Sequence, residues 1–232
     1  MSKYGLKTGD ILLFNGNGKG FYKPFDFLIK YFTKSPYTHV AMVLKDPDFI
    51  HPSLKGYYIW ESGWNGTPDP QDGKVKLGVQ LTPLYDAVND AIKDGSKVYY
   101  RKLSENPDNF TNEKLSKVHD VVYGKPYDIV PKDWIDEAFH HTDKMEGQNT
   151  KRFWCSALVG YIYTQCGVLK SDTRWSCLAP ADFSTAAENL EFDRDNKFTT
   201  NDLPFYWKCS NGMHAAPINP LYLGARIILV FL

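Results

Sequence analysis

Lys151-Arg152-Phe153-Trp154-Cys155-Ser156-Ala157-Leu158-Val159-Gly160-Tyr161-Ile162-Tyr163 is the stretch on which the reading of this chain turns. It predicts a helix with a cysteine in its first turn. Leu158, Val159, Ile162 and Cys166 follow Cys155 at spacings that share one helix face, so that face packs inward and the helix is central. A thiol at a helix N-terminus lies near free backbone N–H groups and the positive end of the dipole, and both favour thiolate. Taken alone, however, a buried cysteine is more often a small hydrophobe. The rest of the chain has to decide.

Upstream, the pattern predicts short strands. Ile11-Leu12-Leu13-Phe14 follows Gly9-Asp10, and Thr38-His39-Val40-Ala41-Met42-Val43-Leu44 places His39, Ala41 and Val43 on one side and Val40, Met42 and Leu44 on the other. Tyr57 to Ser62 is a strand with one carboxylate, Glu61, amid aromatics. Val79-Gln80-Leu81 and Lys97 to Arg101 complete the set. Helices are expected from Pro24 through Phe32, from Pro83, and from Thr111 through Val122. Gly63 to Gly78, rich in Gly, Pro and Asp, reads as an exposed loop. Asn15 to Gly20 is glycine-rich but lacks the Lys-Ser/Thr pair of a phosphate loop and reads as a turn. Residues 186–219 are polar and irregular, and Ala225 to Leu232 reads as a terminal buried strand. The pattern is α+β, in a single domain over residues 1–232.

The chain has 232 residues, enough for a full core. Its 27 basic and 27 acidic residues leave no net charge, so overall electrostatics points to no nucleic-acid partner. No apolar run is long enough to cross a bilayer and no secretory leader is apparent, so the expected setting is cytoplasmic, with peripheral membrane contact left open. The four cysteines form no C-x-x-C pair and are read as reduced, with a disulfide among Cys166, Cys177 and Cys209 still open. Cys209 with His214, and His140 with His141, lack a matching second pair, so no metal and no other cofactor is expected.

A cysteine nucleophile needs a base, and the base needs a third group to fix its tautomer. Of the six histidines, His39 alone falls inside a clear strand. His51 and His214 look like loop residues, and His119 falls in a helix. A half-buried Glu61 would need a partner. Each of these has a plain alternative: His39 as a satisfied core residue, Glu61 as a solvent-facing strand residue.

The wording of the segments, in one order along the chain, adds to this. Leu6 to Phe14, Thr33-Lys34-Ser35-Pro36-Tyr37-Thr38-His39-Val40-Ala41-Met42-Val43, Tyr58-Ile59-Trp60-Glu61, Val79 to Leu84, Gly124-Lys125-Pro126-Tyr127-Asp128 and Phe153 to Val159 together resemble the circularly permuted branch of the NlpC-like, papain-fold cysteine hydrolases. That branch includes bacterial YiiX- and YaeF-like proteins, poxvirus relatives and, more distantly, the lecithin:retinol acyltransferase group. In the unpermuted enzymes the cysteine helix precedes the histidine strand; here the histidine comes first.

The resemblance implies an antiparallel sheet packed against the cysteine helix. It also implies Cys155 as nucleophile, His39 as base and Glu61 as the group orienting His39. The Cys155 N–H would help bind the oxyanion. Tyr127 and Trp154 would line the pocket or donate a hydrogen bond. His51 competes with Glu61 for the third place, because acyltransferase relatives use a second histidine; Glu61 is favoured, since His51 sits beside Pro52 in a turn. The activity implied is hydrolysis, or acyl transfer, at an amide or ester bond through an acyl-thioester. The substrate would be a peptide or a lipid or N-acyl amide. The segment Phe21 to Phe32 and Trp60, Trp64, Trp134 and Trp154 offer an apolar pocket that favours an acyl group, although core packing explains them equally well. The rival reading is a binding or structural module that keeps the fold without catalysis.

Overall fold

The computed structural model describes residues 5–16, 35–129, 148–186 and 190–205. The helix expected from Pro24, the histidines His140, His141 and His214, Trp134, Cys209 and the terminal run from Ala225 all lie outside these residues.

Six strands form one antiparallel sheet: β1 (Ile11–Asn15), β2 (His39–Lys45), β3 (Tyr57–Gly63), β4 (Gly78–Pro83), β5 (Lys97–Arg101) and β6 (Leu203–Pro204). Their spatial order is β4-β3-β2-β1-β5-β6. Three helices accompany them among the described residues: α1 (Leu84–Lys93), α2 (Asn112–Val122) and α3 (Cys155–Cys166). The fold is α+β.

Alternation along the strands sorts the apolar side chains onto two faces, and both are covered. Ile11, Leu13, Val40, Met42, Tyr58, Trp60, Val79 and Leu81 form one core with Leu115, Val118 and Val122 of α2 and Leu158, Val159 and Ile162 of α3. Leu12, Phe14, Ala41, Val43, Ile59 and Tyr100 form the other with Leu84 and Val88 of α1. The split of β2 is the one its alternation predicts. Trp60 is wholly buried, so it belongs to the core and not to an apolar pocket.

Helix α2 starts where Thr111 caps it, accepting a hydrogen bond from the Lys114 N–H. Helix α3 ends at Gly167, whose φ of 78° is the left-handed turn that closes a helix. The expectation of one inward face on α3 understates the case: of its residues only Gln165 is exposed. Gly160 lets the helix lie against the turn Trp175–Cys177, since a Cβ there would stand 2.7 Å from Leu178 Cδ1 and 3.1 Å from Trp175 Cβ.

Two segments differ from expectation. The Gly63–Gly78 loop is not simply exposed: Asp69 is fully buried, and Lys76 Nζ meets Asp69 at 2.7 Å and Asp72 at 2.8 Å. Gln71 Oε1 accepts from His119 Nε2 of α2 at 2.8 Å, which fastens the loop to that helix. Within the irregular region after residue 186, Leu203 and Pro204 pair with Tyr100 and Tyr99 as an edge strand. An edge is where a proline, lacking its N–H, is tolerated in a sheet.

Candidate active site

His39 begins β2, and Glu61 lies two residues before the end of β3. The ladder pairs Met42 with Trp60; continued in the same register, it sets His39 opposite Gly63 and diagonal to Glu61. The Glu61 carboxylate reaches across, and its Oε2 lies 2.7 Å from His39 Nε2. Phe14, opposite His39 on β1, meets the imidazole edge-on with ring centres 5.3 Å apart. A strand-borne, ring-packed histidine has little freedom to turn.

Cys155 opens α3 and is 2 % exposed. It hydrogen-bonds the His39 side chain. Because Glu61 occupies Nε2, the imidazole nitrogen that faces the sulfur is Nδ1. Burial disfavours the imidazolium, but the electrostatic influence of Cys155, the hydrogen bond to it, and Glu61 together outweigh that effect and raise the His39 pKa to about 10. At neutral pH the ring is therefore protonated on both nitrogens. It donates one proton towards Cys155 and the other to Glu61.

The start of α3 is held from three sides. Ser62, the neighbour of Glu61, donates to the Phe153 carbonyl at 2.6 Å. The segment around Tyr127 runs parallel to Phe153, with Asp128 N–H on the Phe153 carbonyl at 3.2 Å and Phe153 N–H on the Pro126 carbonyl at 3.2 Å. That segment rests on β4: Val79 N–H donates to the Lys125 carbonyl at 2.9 Å. A Cβ at Gly78 would lie 2.3 Å from the same carbonyl, so only glycine permits this approach.

The residue preceding the helix is Trp154, which has no side-chain oxygen to cap it. Ser156, which follows the thiol, turns its hydroxyl away to the Leu178 carbonyl at 2.6 Å. The Cys155 N–H thus has no hydrogen-bond acceptor among the described residues. Uncapped N–H groups beside the sulfur form a donor site for an oxygen that acquires negative charge.

Trp154 is buried, and its indole N–H is shared between Ser156 Oγ at 2.9 Å and the Leu178 carbonyl at 3.2 Å. It braces the helix start. Tyr127 is half-buried against the same core and takes its place through the backbone, its N–H on the Leu77 carbonyl at 3.1 Å.

The other titratable candidates are placed elsewhere. His51 is exposed, its Nδ1 2.7 Å from Ser53 Oγ in a local turn. His119 is half-buried on α2, with a pKa lowered chiefly by burial. Cys166, at the far end of α3, is a buried thiol whose pKa burial pushes up to about 12. Cys155, Cys166 and Cys177 are all free thiols. No group of three His, Cys, Asp or Glu side chains suited to a metal occurs among the described residues. No helix among them is long and apolar enough to cross a membrane.

Two residues behind the carboxylate were missed in the sequence. Thr82 of β4 donates to Glu61 Oε1 at 2.5 Å, and Asn65 Nδ2 donates to Thr82 Oγ1 at 2.6 Å. Gln80 and Thr82 are polar residues at alternate positions of an apolar strand, on the side of Glu61; that alternation was the available signal. No family model and no curated protein matches the chain.

Proposed function

We propose that the protein is a thiol hydrolase, or acyltransferase, of the permuted NlpC-like papain type, acting on an amide or ester carbonyl. The observation that carries this reading is the position of His39, bonded on one side to Cys155 and on the other to Glu61. A core cysteine or a structural histidine has no need of such a pair. The order His39, Glu61, Cys155 along the chain agrees with the permuted arrangement.

In this mechanism the Cys155 sulfur attacks the carbonyl carbon. A C–S bond forms, and the carbonyl π pair moves onto oxygen, where the Cys155 N–H and the α3 dipole oppose its charge. The His39 Nδ1 proton passes to the leaving nitrogen or oxygen as its bond to carbon breaks, leaving an acyl-thioester. Neutral His39 then takes a proton from water, or from an acceptor hydroxyl or amine, as that oxygen or nitrogen attacks the thioester. Sulfur departs as thiolate and the dyad is restored. Glu61 keeps the ring in one tautomer and one orientation throughout.

The substrate class rests on the acyl group, whether peptide or fatty chain. Trp60 lies in the core and no longer argues for the fatty chain. Incubation with a mixed panel of acyl amides, esters and peptides, followed by intact-mass measurement, tests the reading. The expected result is a mass increase on Cys155 equal to one acyl group, absent in Cys155→Ala. Full turnover by a folded Cys155→Ala variant would overturn it.

A further inference from the structure

We propose that Thr82 and Asn65 are positioning residues, forming a hydrogen-bonded chain of fixed direction that starts at the Thr67 backbone N–H and ends on His39. The proposal rests on the roles given above to Cys155, His39 and Glu61.

The direction follows from the one group in the chain that can only donate. Thr67 N–H bonds Asn65 Oδ1 at 2.9 Å, so that atom is the amide oxygen and Nδ2 is the donor. Asn65 Nδ2 then donates to Thr82 Oγ1 at 2.6 Å. The hydroxyl has a single proton, which goes to Glu61 Oε1 at 2.5 Å. Oε2 is left to accept from His39 Nε2 at 2.7 Å. Nδ1 is left for the sulfur. Each link removes one choice from the next, and a backbone amide removes the first.

Burial makes the chain matter. Thr82 is 2 % exposed and Glu61 7 %, so water is a poor substitute for the missing donor if the hydroxyl is removed. The groups facing Glu61 are His39 on β2, with Cys155 behind the ring, and the neutral Gln80 and Thr82 on β4. The far end of the chain is anchored as well. Asn65 and Thr67 stand in the loop that Lys76 fastens to Asp69 and Asp72, and that Gln71 fastens to His119. The clamped loop and the catalytic strand are therefore parts of one device.

The test measures alkylation of Cys155 by iodoacetamide as a function of pH, read on the Cys155 peptide by mass spectrometry. Wild type, Thr82→Val, Thr82→Ser and Asn65→Asp are compared, each checked for folding by thermal melting. Removing the donor frees Glu61 Oε1 and loosens the carboxylate's hold on the His39 ring beside the sulfur, so in Thr82→Val the acid limb of Cys155 alkylation should move up by about half to one pH unit. Thr82→Ser should restore the wild-type limb. Asn65→Asp keeps an oxygen for Thr67 N–H but puts an acceptor where Nδ2 donated, which draws the Thr82 proton away from Glu61. Its limb should move in the same direction as that of Thr82→Val. On a panel substrate that wild type turns over, both variants should lose about tenfold in kcat, the usual scale for groups that orient a functional histidine.

A wild-type acid limb in either Thr82→Val or Asn65→Asp, or failure of Thr82→Ser to restore it, overturns the proposal. If Thr82→Val does not fold, Asn65→Asp carries the test. The alkylation arm needs no substrate, so this proposal and the hydrolase reading fail separately: the latter fails if Cys155→Ala retains turnover.

Discussion

The Ser62 hydroxyl donates a 2.6 Å hydrogen bond to the Phe153 carbonyl and thereby ties the strand that carries Glu61 to the turn that delivers Cys155. The two residues are fully buried. Ser62→Ala should cost about 1 kcal/mol of stability, the usual value of such a bond. It should lower kcat more than it changes KM, because the sulfur shifts relative to His39 while the rest of the site stands. Urea unfolding and steady-state kinetics on the same preparation check both parts.

Glu61 and His51 were rivals for the third place, and their variants separate them. Glu61→Gln should lower kcat by about 10²- to 10⁴-fold, the range in which loss of a histidine-orienting carboxylate falls. His51→Ala removes an exposed ring that contacts Ser53, and should leave both kcat and the melting temperature unchanged. The reverse pattern would transfer the role to His51.

The protonation of His39 has a consequence for stability. Against the effect of its own burial, Cys155 and Glu61 raise its folded pKa from 6.5 to about 10. A pKa raised on folding means that the folded state binds the proton more tightly, so the contribution is complete below about pH 6.5 and is lost as pH rises through about 10. The stability of wild type relative to His39→Gln should therefore shrink across that window, measured by urea midpoints at several pH values. Cys155→Ala, lacking the stronger of the two partners, should show a shallower decline. A wild-type advantage that stays flat from neutral to alkaline pH would rule out the protonated ring.

Gly78→Ala tests the backbone support behind the helix start. Its φ of 153° and the 2.3 Å approach to the Lys125 carbonyl leave a methyl group no room, and the obstacle is backbone. The variant should lose about 2 kcal/mol or more. Activity should fall with it, since Lys125 to Asp128 is the strip on which Phe153 rests. Thermal melting followed by kinetics at a temperature where the variant remains folded checks the pair.

What could be read from the sequence follows a physical line. Lys97 to Arg101 and the start of α3 at Cys155 were expected at the residues where they occur, because apolar periodicity and punctuation are local. So was the division of β2 into His39, Ala41 and Val43 against Val40, Met42 and Leu44. The pairing of His39 with Glu61 was within reach, since each is the exceptional polar residue of its strand. By contrast, β6 is two residues long, one of them proline, and exists only because β5 offers an edge. Asp69 looked like a loop residue, and its burial depends on Lys76 and Gln71 folding back onto it. Trp60 could be read as pocket lining or as core, and its complete burial decides for the core. The Asn65–Thr82–Glu61 link joins a loop and two strands, and no spacing rule within a single segment contains it.

Helix α3 is buried on nearly every side, and this makes its thiol a marker of the whole fold. A segment enclosed in this way exchanges its amide hydrogens only when the molecule opens globally, unlike a surface loop that opens by itself. The Cys155 helix should thus be among the slowest-exchanging parts of the chain. Under the proposed function, heat inactivation should follow global unfolding, with no earlier, local loss of the Cys155 site. In that sense the sulfur is the fixed point of the molecule, and adjustment to a substrate has to come from the elements that surround it.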